Sequence, residues 1–151
     1  MVPFRDILSS LYELRLSYLD ALEASVQITI TALLIIVGII HLLPLSGVLS
    51  ANQLSALYGL SFQEPNLEIL MRHRAILFGL LGAFLIYAAF KTALQPLAFI
   101  AGFVSVLSFL ALAWSVGGYN GAIRNVVIAD IVAIVCLILA GVLYILNYRQ
   151  N

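Results

Sequence analysis

The chain has 151 residues, with seven basic and seven acidic side chains and a formal net charge of zero. Hydrophobic residues make up 64% of the chain and charged residues only 9%, whereas about a quarter of the residues in soluble domains are charged. So little charge cannot cover the surface of a soluble domain of this size. The balanced charge also lacks the basic footprint of a nucleic-acid-binding protein. The composition therefore predicts one domain surrounded by membrane lipids, with no nucleic-acid partner.

The first 24 residues predict an amphipathic helix that precedes the membrane domain. Apolar side chains recur there at helical spacing, at Ile7, Leu11, Leu14, Tyr18 and Leu22. Charged residues occupy positions between them, which is typical of an amphipathic helix and unlike a cleavable signal peptide. We interpret residues 1–24 as an interfacial helix that lies on the membrane, with a docking helix for a partner protein as the alternative.

Four later segments are apolar enough to be transmembrane helices, because a span needs about 20 apolar residues to cross a hydrocarbon core of roughly 30 Å. They cover residues 24–43, 71–90, 96–116 and 126–146. Between the first two, Ala51–Leu57 predicts a short helix that ends at Tyr58-Gly59. Residues 25–151 are thus expected to form a four-helix transmembrane bundle. The predicted fold class is an all-α integral membrane protein with an N-terminal amphipathic interfacial helix.

The distribution of Lys and Arg favours one orientation. With a cytoplasmic N-terminus, four basic residues lie inside and between one and three lie outside, depending on where the second span begins. The positive-inside rule therefore favours two cytoplasmic termini. The expected location is the inner membrane of a bacterial-type cell.

The topology also predicts that ionisable side chains gather at one end of the bundle. The uncharged run of the second span, residues 75–90, covers only about 24 Å, so that helix must recruit the preceding arginines to cross. Asp130 lies about one turn inside the fourth span, where an unpaired charge costs several kcal/mol. Because successive spans alternate in direction, these features meet at the same end. The predicted ligand-binding or structural cluster comprises His41, Glu68, Arg72, His73, Arg74, Asn120, Arg124 and Asp130.

Within this cluster we expect an intramembrane ion pair between Arg72 and Asp130, with Arg74 as the second choice of partner. Ala75 and Gly79 belong to a face of small residues suited to helix packing, and Arg72 projects onto that side whereas Arg74 points largely away from it. Such a pair can specify helix register without chemistry. Alternatively, the arginines can bind an anion or a lipid headgroup.

Metal binding and nucleophilic catalysis find little support. His41 and His73 show no established ligand spacing with the acidic residues, and neighbouring arginines would repel a cation, so we predict no metal. Cys136 lies in mid-membrane without a neighbouring base, and there is neither a Gly-x-Ser-x-Gly elbow nor a phosphate-binding glycine loop. No cofactor is indicated, and the sequence leans towards a protein that is not an enzyme.

Several stretches carry a resemblance to a known group of proteins: Leu57-Tyr58-Gly59, Pro65-Asn66-Leu67, Met71–Gly79, Trp114-Ser115 and Ala129-Asp130. In these stretches the chain resembles small bacterial four-helix membrane proteins related to the DoxX-like superfamily. The resemblance covers about residues 25–146 and implies a four-helix membrane fold. DoxX-type relatives include subunits associated with quinone-linked sulfur oxidation, but no residue here transfers that activity.

Similar chains are sometimes labelled phosphopantetheine adenylyltransferases. That soluble fold needs a His-x-Gly-His motif. Here His41 is followed by Leu-Leu-Pro and His73 by Arg-Ala-Ile. The label is therefore rejected.

The leading functional prediction is a non-enzymatic accessory or scaffold role, as a homo-oligomer or as a subunit of a larger membrane assembly. The alternative is a lipid- or quinone-binding protein or enzyme that uses the polar cluster as its pocket. Ion or proton transport is a third class. A closed cluster without a cavity would favour the first class and a cavity at the cluster the second. A continuous polar route past Ser105 and Ser108 would favour the third.

Overall fold

The computed structural model describes residues 4–148, and every regular element in that range is a helix. The outermost residues of the two predicted segments, 1–3 and 149–151, lie outside it. Five α-helices follow one another along the chain: α1 Phe4–Leu42, α2 Ala51–Tyr58, α3 Pro65–Ala89, α4 Gln95–Val116 and α5 Gly121–Tyr148. Two 3₁₀ segments, Leu43–Val48 and Thr92–Leu94, connect α1 to α2 and α3 to α4. Four helical segments are long and apolar enough to cross a membrane, which confirms the prediction of an all-helical chain with four such helices.

The structure differs from the sequence prediction at the N-terminus, where the amphipathic helix and the first span are one continuous helix. α1 runs for 39 residues, a length of about 58 Å. Neither proline nor glycine occurs between residues 4 and 37, so nothing in this stretch interrupts the helical hydrogen bonds near residue 24. Every side chain from Ser10 to Leu22 is exposed, and the first fully buried one is Ile30.

Two glycines let the backbones of α1 and α3 approach each other. A Cβ atom added to Gly82 would lie 2.7 Å from the carbonyl oxygen of Gly38, and one added to Gly38 would lie 2.9 Å from the carbonyl oxygen of Gly82. Any larger residue would push the helices apart, which is why small residues mark helix contacts in membranes. Ala75 and Gly79, on the predicted small-residue face of α3, are also buried. This face therefore packs on α1 and on the 3₁₀ segment that follows it.

The main core fills the middle of the bundle and is apolar. Its fully buried side chains include Leu34, Val37, Leu85, Val106 and Leu137. A second, smaller core forms under α2, where Leu54, Tyr58 and Phe62 pack together. α2 therefore lies across one end of the bundle as a cap.

Local interactions define both ends of α2. The Ser50 side chain accepts a hydrogen bond from the backbone N–H of Gln53 and begins α2, as N-cap serines do. Gly59, with a φ of 63°, ends the helix. That left-handed conformation costs glycine little. The predicted short helix and its Tyr58-Gly59 ending are thereby confirmed.

Candidate ligand-binding cavity

A cavity of about 270 Å³ opens under α2, at the end of the bundle where the polar cluster is predicted. All five helices contribute to its wall. Most of the lining is apolar and comes from Ile40, Leu43, Pro44, Ala56, Leu57, Phe78, Phe109, Ala122, Val126 and Ala129. The polar lining consists of His41, Tyr58, Arg74, Asn125 and Asp130. Small-molecule sites usually have such a lining, with volumes from about 300 Å³ upward, so this cavity is at the small end of the range for a bound molecule.

Arg74 is held in the cavity by two aromatic rings. Its Cζ atom lies 5.0 Å from the centroid of the Phe78 ring and 5.7 Å from that of Tyr58. Phe78 follows Arg74 by four residues and so lies on the same face of α3, while Tyr58 reaches the site from α2. Both distances are within the range of cation–π contacts. The rings fix the guanidinium group without using its N–H donors.

Those donors have no partner among the groups that the structure describes. No described carboxylate forms an ion pair with Arg74, and its guanidinium donates no hydrogen bond to the described residues. The guanidinium of Arg74 therefore has unused N–H donors beside the cavity that it lines.

Asp130 contributes the opposite charge from α5. Arg74 is the cation that acts on it electrostatically, but the two groups do not form a direct ion pair. Within the described part of the chain, the carboxylate of Asp130 also accepts no hydrogen bond. The cavity thus contains a separated positive and negative group, each with unused hydrogen-bonding capacity.

His41 forms part of the wall and is fully engaged by the protein. It is 2% exposed, and its Nδ1 atom lies 2.8 Å from the carbonyl oxygen of Val37. Because a carbonyl only accepts, Nδ1 carries the proton and donates it. The Nε2 atom lies 3.1 Å from the Ser105 hydroxyl, and in a neutral imidazole it accepts that hydrogen bond. His41 therefore links α1 to α4 through its two ring nitrogens.

Arg72 does not pair with Asp130, so that sequence prediction is wrong. Its Nε donates to the carbonyl oxygen of Val48 at 2.8 Å, and its Nη1 donates to Glu68 Oε1 at 3.1 Å. The reason is the direction of the small-residue face, which meets α1 and the 3₁₀ segment instead of α5. Arg74 points away from that face, as the sequence indicated, and for that reason lines the cavity beside Asp130.

The other predicted residues lie around the cavity without lining it. Asn120 holds two elements together, since its Nδ2 donates to the Tyr58 carbonyl at 2.9 Å and its Oδ1 accepts from the Ile123 N–H at 2.9 Å. The first contact ties down the end of α2, and the second caps the start of α5. His73 and Arg124 are exposed. In the described range, no three His, Cys, Asp or Glu side chains are grouped so as to hold a metal ion.

Sequence reasoning missed several residues of the site. Phe78 had a local signal, because it lies one helical turn beyond Arg74. Tyr58 was noticed only as the end of a short helix, and Asn125 and Phe109 carried no signal at all. Tyr58, Asn125 and Phe109 belong to helices other than α3, and their place in the cavity wall depends on how those helices pack.

Comparisons with protein-family models, with curated proteins and with solved structures found no match for this chain. The resemblance to the DoxX-like group stays a prediction. Function is therefore inferred from the geometry of the cavity.

Proposed function

We propose that this chain is a multi-pass inner-membrane protein that binds a small amphiphile, a lipid or a quinone, in the cavity under α2. The observation that carries the proposal is a mostly apolar cavity in which Arg74 and Asp130 lack hydrogen-bond partners from the described residues. A charge in a membrane interior costs several kcal/mol unless it is paired or hydrated. The polar part of an amphiphile would supply those partners, and its apolar part would match the remaining lining. Of the classes considered from the sequence, the cavity favours binding over a closed scaffold.

The described core also favours binding over transport. Ser105 bonds to His41, and the Ser108 hydroxyl donates to the backbone carbonyl of Ser105. Beyond them the bundle is filled by buried apolar side chains such as Leu34 and Leu137. No continuous polar route leads through this part of the described structure from the cavity to the opposite end.

We further propose that both termini are cytoplasmic, in accordance with the positive-inside rule. In this orientation α1 begins on the cytoplasmic side of the membrane and ends on the periplasmic side. The cavity, which lies near the end of α1, is then at the periplasmic end of the bundle. A ligand would enter from the outer leaflet or from the periplasm. Labelling of single cysteines, introduced after replacing Cys136 with Ala, would test this orientation at Arg124 on the cavity side and at Lys91 on the other.

Filling the cavity tests the binding proposal. Ala129 lines the cavity, and Ala129→Phe would place a phenyl ring in it. Ala111→Phe, at an exposed position of α4, is the matched control. The full chain is purified in a mild detergent, and native mass spectrometry measures the amphiphile that it retains.

We expect the unaltered chain and the Ala111→Phe variant to retain the same bound amphiphile, and Ala129→Phe to retain at least tenfold less. An Ala129→Phe protein that unfolds at an unchanged temperature yet retains as much amphiphile as the control would contradict the proposal.

An accessory role in a larger assembly is a second candidate, favoured by the N-terminal half of α1. α1 is about twice as long as the roughly 30 Å hydrocarbon core. Leu14 and Tyr18 there are 64% and 69% exposed. Native gel electrophoresis of gently solubilised membranes tests this role: Leu14→Glu with Tyr18→Glu should release a smaller species. Tyr12→Glu with Leu16→Glu, an exposed pair on the opposite face of α1, is the control and should not. Unchanged migration of the Leu14/Tyr18 variant would argue against the role.

A further inference from the structure

The charges of the cavity specify the kind of head that it can accept. Arg74 and Asp130 are the arginine and the carboxylic acid of the lining, and both ring nitrogens of His41 are engaged by the protein. The groups that retain hydrogen-bonding capacity for a ligand therefore include a cation and an anion at separate positions. A head that meets both must itself carry an anionic acceptor and a cationic donor.

Arg74 is suited to a phosphate group. The contacts with Phe78 and Tyr58 hold the guanidinium plane. The planar fork of arginine donates two parallel hydrogen bonds to two phosphate oxygens. A lipid with a phosphate and no cation, such as a phosphatidylglycerol, would satisfy Arg74 and leave Asp130 without a donor. A quinone ring offers only acceptors and would leave Asp130 in the same condition.

Asp130 discriminates between the two common kinds of zwitterionic lipid head, those with a primary ammonium and those with a quaternary ammonium. A carboxylate accepts hydrogen bonds, and a primary ammonium has three N–H groups to donate. A quaternary ammonium has none and is usually bound by the faces of aromatic rings. Of the three Phe and Tyr rings of the lining, those of Phe78 and Tyr58 already contact the guanidinium of Arg74, which leaves only Phe109, whereas quaternary ammonium groups are held by cages of several rings. The cavity thus favours a primary over a quaternary ammonium.

From this charge arrangement we propose that the cavity binds a phosphoethanolamine head, with the phosphate on Arg74 and the ammonium on Asp130. The inference rests on the proposed function of the cavity. The cavity of about 270 Å³ would hold the head against its polar lining, and Leu43, Phe109 and Val126 of the apolar lining would contact the first part of an attached chain. The same head could come from a phosphatidylethanolamine lipid or from free phosphoethanolamine.

Competition between lipids tests the assignment. The full chain is purified in detergent and titrated with phosphatidylethanolamine, phosphatidylcholine and phosphatidylglycerol that have identical acyl chains. Because only phosphatidylethanolamine offers both a phosphate to Arg74 and N–H donors to Asp130, we expect it to bind at least about tenfold more tightly than either of the others. Competition by free phosphoethanolamine at equal concentration would identify the soluble head as sufficient, and its failure to compete would identify the lipid as the ligand.

Variants locate the two charges of the head. Asp130→Asn should make phosphatidylethanolamine and phosphatidylcholine bind equally. Arg74→Gln should weaken the binding of both. Arg124→Gln is the control, since Arg124 is exposed near the same end and lies outside the lining. It should leave all three affinities unchanged.

If Asp130→Asn does not fold, the unaltered chain can be titrated with phosphatidylethanolamines that carry one or two N-methyl groups, and affinity should fall with each N–H that is lost. Equal affinity across this series, or tighter binding of a quinone, would overturn the head assignment while leaving the cavity a binding site. Absence of binding by every amphiphile would overturn the proposed function as well.

Discussion

On the side of α3 that meets α1, Arg72 donates to the Val48 carbonyl and to Glu68, and Gly82 contacts the backbone of α1. On the side that borders the cavity, only two residues further along, Arg74 contacts the rings of Phe78 and Tyr58. We call these the closed side and the open side of α3. The same residue type is used for packing on one side and has no hydrogen-bond partner among the described residues on the other. The neighbour that each helix face meets makes the difference, since both arginines belong to the same helix and lie near the same end of it.

The largest effect is expected from a methyl group on the closed side. In Gly82→Ala, the new Cβ would lie 2.7 Å from the carbonyl oxygen of Gly38, and a backbone atom cannot move aside as a flexible side chain can. Such overpacking costs about 1–3 kcal/mol, measured as a lower temperature of thermal unfolding in detergent. Gly141→Ala is the control, because nothing lies within 4 Å of a Cβ atom there, and its stability should be equal or slightly higher. Equal destabilisation by both changes would mean that α1 and α3 do not approach closely at Gly82.

A comparison of the two arginines should separate stability from binding. Arg72→Gln should lower the free energy of unfolding by about 1–2 kcal/mol, because it removes hydrogen bonds from a charged donor, and it should leave ligand affinity nearly unchanged. Arg74→Gln should lower affinity about tenfold and should destabilise the ligand-free chain by no more than about 1 kcal/mol, the size of an exposed cation–π contact. Unfolding temperatures with and without added lipid measure both quantities. The comparison fails if Arg72→Gln weakens binding as much as Arg74→Gln does.

The smallest effect is expected at the start of α3, which belongs to neither side. Glu64 precedes Pro65 and accepts hydrogen bonds from the backbone N–H groups of Asn66 and Leu67. These bonds hold the pKa of Glu64 below its usual value of 4.5. A lowered pKa in the folded state contributes stability above the unfolded-state pKa, and that contribution is lost as the pH falls through the folded-state pKa.

Glu64→Gln should therefore be slightly less stable than the unaltered chain at pH 7, and the difference should shrink as the pH falls below about 4.5. Unfolding temperatures of the two proteins across this pH range measure it. Ligand affinity should not change. A difference that stays constant with pH would show that the charge of Glu64 does not stabilise the start of α3.

Part of the candidate site could be predicted, because some of its causes are local in the sequence. The shared end of the polar residues follows from the direction of successive spans, and the Glu68–Arg72 pair follows from a four-residue separation on one helix. The continuity of α1 was also readable, since no glycine or proline separates its two halves. A boundary at residue 24 was expected because the composition changes there. The change from polar to apolar residues near residue 24 changes the environment that suits the helix, but it does not break the backbone hydrogen bonds of α1.

The sequence by itself determined that the chain is helical, that four helical segments have the length and apolarity of membrane spans, and that His41, Arg74 and Asp130 lie at the same end of the bundle. These properties depend on hydrophobic length and on helical spacing, which each segment carries alone. Only the tertiary structure decided that Arg74, and not Arg72, lies beside Asp130, and that Tyr58 and Phe109 complete the wall. The rotation of α3 about its axis is set by its close approach to α1 at Gly38 and Gly82, and the periodicity of a single helix does not say which neighbour each of its faces will meet.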